Sequence, residues 1–348
     1  MNALKQKLIE HVRENGPMTV ADFMASCLYD PEHGYYATCP SIGGEGADFL
    51  TAPEASQMFG ELIGLWCAHE WDVLGKPALN WIELGPGRGV LMQDALRATA
   101  AIEGFHDAAQ ITLVETSPAL RAAQAERVAN ADWAERLDDA PPGASLMIGN
   151  EFLDCMPIRQ FVLTEEGWRE KLVGLNQADT LTFGLSAPLP APETDDEPGV
   201  VREIAPGLET LVYELERRLH AAPGRALFID YGYAKSEGFD TLQALKRHKH
   251  ADPLGAPGEA DLTAHVDFGQ LAHLALEAGL DVHGPISQAA FLAALGLSVR
   301  AEALKRAHPE RADRINREHQ RLTGESEMGA LFKVICLSSP NLPPPAGF

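Results

Sequence analysis

From residue 79 onward the chain repeats a short, unbroken apolar run followed by a helical stretch. The pairs are "LNWIEL" with "RGVLMQDALRATAAI" and "ITLVE" with "SPALRAAQAERVA"; then come "ASLMIGNEF" and, after a helix near 206–221, "GRALFIDYG". A strand apolar on both faces offers no side to water, so it belongs in a parallel sheet covered by helices above and below. Ser117 and Pro118 open the second helix as N-cap and first helical residue. The pattern predicts a doubly wound α/β sheet, and 348 residues, 45 % of them hydrophobic, supply enough apolar mass for its core plus insertions.

Around that sheet, Leu4, Leu8, Ile9 and Val12 predict a helix over 2–14, and further helices are expected near 19–29 and from Ser56 to Leu74, separated by a long Gly/Pro-rich loop. Residues 158–204 alternate like antiparallel strands before the acidic stretch "PETDDEP" and read as an inserted β-meander. A polar Gly/Pro segment follows the fourth strand, then helices near 267–278, 287–295 and 299–322, and "GALFKVICLSS" closes the sheet. The expected organisation is an N-terminal helical and lid region (1–75), a sheet domain in two pieces (76–157 and 205–340), the β-rich insertion (158–204), and a loose proline-rich tail (341–348).

The turn after the first strand, Glu83 followed by Gly85, Gly87 and Gly89, lets backbone approach a ligand where no Cβ intrudes. It lies at the carboxyl end of a strand, where open α/β sheets bind ligands. A dinucleotide turn would read G-x-G-x-x-G, but position 90 is Val, and no Gly-Lys-Ser/Thr follows to make a phosphate loop. S-adenosylmethionine, which carries no phosphate, fits better. Glu83 suits its cationic methionine end, and Glu115, closing the second strand, suits its ribose hydroxyls.

A net charge of −22 argues against nucleic acid and for a cationic partner, or simply for solubility. Five scattered cysteines without metal spacing predict a reducing compartment and no metal site. The mixed-charge N-terminus has no secretory character, and no apolar run is long enough to enter a membrane, so a cytoplasmic location is expected. His248 and His250, flanking Lys249, read as an exposed basic patch.

The motifs "YDPEHGYY", "GADFLTAPEASQMFGELIG", "IELGPGRGVLMQDALR", "GNEFLDCMPIRQF" and "ADPLGAPGEADLTAHVDF" together resemble one family over most of the chain: the MidA-like class I methyltransferases, which include the mitochondrial complex I assembly-factor arginine methyltransferase. The resemblance implies a Rossmann-like, mostly parallel seven-stranded sheet with an antiparallel last strand. It also implies S-adenosylmethionine as methyl donor and, as in the mitochondrial members, a protein arginine on a complex I subunit as acceptor. Cys155 stands where relatives commonly carry Ala. The competing expectation is a non-catalytic assembly factor that keeps the cofactor site.

For an arginine acceptor, Glu151 and Asp154 are the candidates to grip the guanidinium, with Asn150 nearer the cofactor. Asp154 reads equally as a helix N-terminal acid. Asp230 and Tyr231 are alternatives for orienting the acceptor. His265 with Asp267 reads as a proton-accepting pair, or Asp267 as the cap of the next helix. Thr51, Ser56, Gln57, Phe59 and Gly60 are expected to form a lid, with Ser56 alternatively capping a packing helix. A homodimer through an apolar face of the insertion is a further expectation.

Overall fold

The computed structural model describes residues 2–38, 50–190, 194–236, 238–246 and 249–348. Cys39, His248, the middle of the Gly/Pro-rich loop and the start of the acidic stretch lie outside the described residues. Seven strands form the main path of the central sheet: β1 (Leu79–Leu84), β2 (Ala109–Val114), β3 (Asp132–Ala134), β4 (Ser145–Asn150), β5 (Gly224–Tyr233), β6 (Asp281–Ser287) and β7 (Phe332–Ser338); an eighth, two-residue strand, Val266–Asp267, pairs in parallel with the end of β5. Their spatial order is β3-β2-β1-β4-β5-β7-β6. All neighbours pair in parallel except β7, which runs antiparallel to both β5 and β6. The seven-strand path with one reversed strand is the expected arrangement, with Val266–Asp267 added beside β5.

Because side chains alternate along a strand, each central strand feeds two cores. Trp81, Leu146, Ile148, Leu227 and Val334 face one core, while Ile82, Met147, Phe228 and Ile335 face the other. The principal helices are α1 (Ala3–Asn15), α2 (Val20–Tyr29), α3 (Ala52–Ala55), α4 (Gln57–Val73), α5 (Val90–Thr99), α6 (Pro118–Ala125), α7 (Pro206–Ala221), α8 (Phe268–Glu277), α9 (Gln288–Ala294), α10 (Leu297–Ala307) and α11 (Ala312–Thr323), besides the single helical turns Tyr35–Thr38, Phe105–Ala108 and Met328–Leu331. The first core is filled by α4 and α5, the second by α7 and α8.

A third core builds a smaller lobe. Leu8 and Val12 of α1 and Phe23 and Met24 of α2 pack with Ile158, Val173 and Leu181 of the insertion and with Ala244 and Leu262. Met18 and Thr19 pair antiparallel with Val173 and Leu172, stitching the N-terminus to the inserted strands.

Several expectations change. The first 75 residues are not one unit: α1 and α2 belong to the smaller lobe, whereas α4 packs on the central sheet. The polar segment after β5 holds a three-stranded sheet, Gln243–Lys246, Lys249–Ala251 and Asp261–Thr263. The helix expected over 299–322 is broken before Pro309 into α10 and α11, since proline cannot donate to the preceding turn.

The tail is docked rather than loose. Trp66 Nε1 donates to Ala346 O (3.0 Å), Ala346 N donates to Glu70 Oε1 (2.8 Å), and the Phe348 ring sits 5.4 Å from that of Phe291. Arg225 and Glu70, both fully buried, form an ion pair at 2.8 Å, and Arg225 also donates to Pro343 O (2.5 Å). Among the described residues, no helix is long and apolar enough to cross a membrane.

Candidate active site

β1 ends at Leu84 and α5 starts at Val90, so the chain reverses within five residues. Gly85, Gly87 and Gly89 make that turn with φ of +62°, +52° and +78°. At Gly85 a Cβ would stand 2.9 Å from Cδ2 of Phe152, whereas at Gly87 it would meet nothing within 4 Å. Gly87 therefore brings bare backbone to open space. That space is a cavity of about 670 Å³ at the carboxyl ends of β1, β2 and β4, within the usual range for a small-molecule pocket of roughly 300–1,000 Å³.

Glu115 follows β2 on the cavity wall. Its Oε1 accepts from Ser117 N (2.8 Å) and its Oε2 from Gln124 Nε2 (3.2 Å). Burial raises its pKa, and the Ser117 N–H and Gln124 amide pull it back down. Gln124 itself also donates to Gly87 O (2.7 Å) and accepts from Trp133 Nε1 (2.8 Å), so one buried amide fixes the glycine turn and the acid together. Sequence reasoning passed over it; the available signal was a glutamine four residues after Leu120, on the core-facing stripe of α6. Farther along, Leu137 and Leu211 give the cavity apolar walls, flanked by the Arg136–Glu214 ion pair (2.8 Å).

Glu83 and Asn150 line the same cavity, and each keeps one buried oxygen, Oε2 and Oδ1, without a protein partner. Burial pushes the Glu83 carboxyl up to about 8, opposed by the Met92 N–H. Such orphaned acceptors call for a ligand that donates, and an ammonium group does. With the bare backbone at Gly87 and the acid at Glu115, these residues fit S-adenosylmethionine.

Glu151 opens the turn after β4 with φ +50°, a conformation non-glycine residues rarely hold. Its Oε1 accepts from Ala52 N (2.9 Å) and Asn150 Nδ2 (3.1 Å). Burial pushes its pKa to about 8, with a further rise from Asp154. Asp230 holds the turn: its Oδ2 accepts from the N–H groups of Phe152 (3.0 Å), Leu153 (2.8 Å) and Asp154 (3.2 Å), and Oδ1 accepts from Tyr231 N (2.9 Å). Burial and the neighbouring Asp154 and Glu151 push the Asp230 pKa up, and the N–H donors pull the other way.

Asp154 sits in this turn, not at a helix start, and lies behind the cavity wall; burial raises its pKa to about 6 against a hydrogen bond from Tyr231. His265 is not among the residues lining the cavity. It borders a far smaller recess beside Asp154, with its ring 5.3 Å from that of Tyr231, and burial lowers its pKa. Asp267 is spent as the cap of α8, accepting from Gln270 N (2.9 Å). The structure thus brings Glu83, Gly85, Gly87, Glu115, Asn150 and Glu151 to one cavity and leaves His265 outside it; Gly89 caps α5 just behind the turn.

Among the described residues, the expected N-terminal cover reaches the cavity only in part. Of the five residues expected to form it, Thr51 alone lines the cavity, joined by Pro53 and Glu54. Phe59 is buried in the core and Gly60 abuts α5, where a Cβ would meet Leu91 O at 2.9 Å. Ser56 caps α4, accepting from Met58 N (3.2 Å), and donates to Glu318 (2.9 Å).

Residues 62–286 match the family described as "Putative S-adenosyl-L-methionine-dependent methyltransferase". The chain is 34 % identical over 387 residues to protein arginine methyltransferase NDUFAF7, mitochondrial, of Xenopus tropicalis, covering 100 % of this chain and 89 % of that protein. It is 35 % identical over 373 residues to the Caenorhabditis elegans homolog, covering 97 % and 86 %. Among solved structures, a "likely methyl transferase from Burkholderia thailandensis bound to S-adenosyl-homocysteine" aligns with a TM-score of 0.88 at 28 % identity, over 99 % of this chain and 94 % of that one. The demethylated cofactor bound to that neighbour agrees with the donor that the glycine turn and its two acids fit. Fold, cavity and relatives converge, and the chain belongs to the S-adenosyl-L-methionine-dependent methyltransferase family.

Proposed function

We propose that this methyltransferase modifies an arginine of a partner protein, and that the partner is a subunit of respiratory complex I, the NADH dehydrogenase. The observation that carries the reading is Glu151, a half-buried carboxylate on the wall of the cofactor cavity, held by Ala52 N–H and Asn150. The relatives named protein arginine methyltransferase support the choice of acceptor.

S-adenosylmethionine, when bound, supplies an electrophilic methyl on a sulfonium. In this reading Glu83 and Asn150 receive its cationic end with their unpaired oxygens, Glu115 accepts from its ribose, and Leu137 and Leu211 flank its base. Glu151 pairs with the guanidinium and takes the proton lost as the attacking nitrogen forms its new bond. A pKa near 8 makes it a stronger base than an ordinary carboxylate. Asp154, behind it, adds negative potential, and Asp230 positions the turn that carries both.

The test is transfer of tritiated methyl to purified complex I subunits, wild type beside Glu151→Gln. Label on arginine, reduced on the order of 100-fold in the variant, is expected for a lost general base. Tight S-adenosylhomocysteine binding with no labelled arginine on any subunit would sink the reading and favour an assembly role without turnover.

A further inference from the structure

Tyr29, the last residue of α2, and Tyr36, in the short helical turn Tyr35–Thr38, line the same cavity as Glu151. Their rings stack with centroids 5.6 Å apart and planes 29° apart, and Tyr35 braces Tyr36 edge-on at 5.5 Å. Tyr29 OH donates to Cys155 O (3.0 Å) and lies 3.4 Å from Cys155 Sγ; Cys155 Sγ in turn donates to Phe152 O (3.1 Å). A hydrogen bond links Tyr36 to the same thiol. The aromatic pair is thus anchored on the turn that presents Glu151, while Tyr29 keeps 45 % of its surface accessible. Desolvation of the hydroxyl ends, with Cys155 and Asp154 close by, raises both phenol pKa values, so the rings stay neutral.

We propose that Tyr29 and Tyr36 select the acceptor, favouring a planar guanidinium over an ammonium. The inference rests on the arginine reading above. A guanidinium is planar and weakly hydrated, so it stacks on an aromatic face while a carboxylate engages its edge; a lysine ammonium loses more hydration and has no plane to stack. Cofactor binding alone has no need of such a wall on the Glu151 turn, since Glu83, Asn150 and Glu115 already supply polar groups.

The test uses full-length protein saturated with S-adenosylhomocysteine and titrated with N-acetyl-arginine methylamide or its lysine counterpart, followed by ligand-observed NMR. Wild type should prefer the arginine probe. Tyr29→Leu and Tyr36→Leu should each erode that preference by roughly 2- to 30-fold, the range of a cation–π contact, while Tyr36→Phe keeps it. S-adenosylhomocysteine affinity should not change. Should the leucine variants unfold, fluorinated phenylalanines placed at position 29 preserve shape and weaken the ring's attraction stepwise, and the preference should fall in step. Leucine variants with full preference, or a flat fluorination series, would overturn the proposal and leave arginine methylation standing. A wild type that neither prefers the arginine probe nor methylates arginine would remove both.

Discussion

Glu54 holds Arg88 by two parallel hydrogen bonds, Nε to Oε1 at 2.8 Å and Nη2 to Oε2 at 2.6 Å, joining the N-terminal strap to the glycine turn. Two residues earlier, Ala52 N–H reaches Glu151, so one short segment touches both the cofactor turn and the acceptor carboxylate. Charge-assisted bonds of this kind contribute about 1.5–3 kcal/mol. Glu54→Gln should therefore lower the melting temperature by several degrees and, because the pair holds the glycine turn, weaken S-adenosylhomocysteine binding on the order of tenfold, read by calorimetry. Wild-type affinity in the variant would show that the strap does not support the site.

The glycines of the turn should separate by effect. Gly85→Ala meets Phe152 at 2.9 Å and should destabilise the fold by about 2–5 kcal/mol, from positive φ and overpacking together. Gly87→Ala meets no protein atom, so its stability cost should stay near the backbone penalty of about 1–2 kcal/mol, while cofactor affinity drops on the order of tenfold or more. Denaturant melts paired with binding isotherms distinguish the two, and identical profiles would contradict the geometry.

Glu83 and Glu151 both sit near 8, above the 4.5 of an unfolded glutamate. Between those values the folded chain holds protons the unfolded chain has released, so the stabilisation is complete below pH 4.5 and fades as pH rises through 8. The cofactor-free protein should lose stability from pH 5 to 9, and Glu151→Gln should flatten part of that slope. Arginine capture needs the ionised form, so kcat/KM should rise with pH and level off above 8. A melting temperature independent of pH across this window would exclude both raised carboxyls.

Deleting residues 341–348 should cost more than a loose tail would. Glu70 loses the Ala346 N–H, Trp66 loses its acceptor, and Arg225 loses Pro343 O, all in a buried setting. With about 1–3 kcal/mol for each stranded group, partly offset by relaxation, a loss of about 3–5 kcal/mol is expected in denaturant unfolding. A truncated protein as stable as the full chain would refute the docking.

The limits of sequence reading follow from what each element depends on. β1 is bounded at Leu79–Leu84 by its own apolar run, and α7 at Pro206–Ala221 by a starting proline and a clear stripe. β3 has three residues, and β6 carries Gly284 and Pro285 while pairing only with β7; neither holds a periodic signal of its own. Gln124 gains its meaning from Gly87, Glu115 and Trp133, which meet only when the sheet forms.

Local order along the chain was enough to determine the doubly wound sheet, the glycine turn and the acids at the ends of β1 and β2, because strand burial and positive φ are set by neighbouring residues. Tertiary structure alone decided that the tail docks on Trp66 and Glu70, that α1 and α2 join the insertion, and that Glu151 is drawn into the cavity while His265 is not. Those outcomes depend on ion pairs and hydrogen bonds between residues up to hundreds of positions apart, such as Glu70 with Arg225 and Ala52 with Glu151, for which periodicity carries no record.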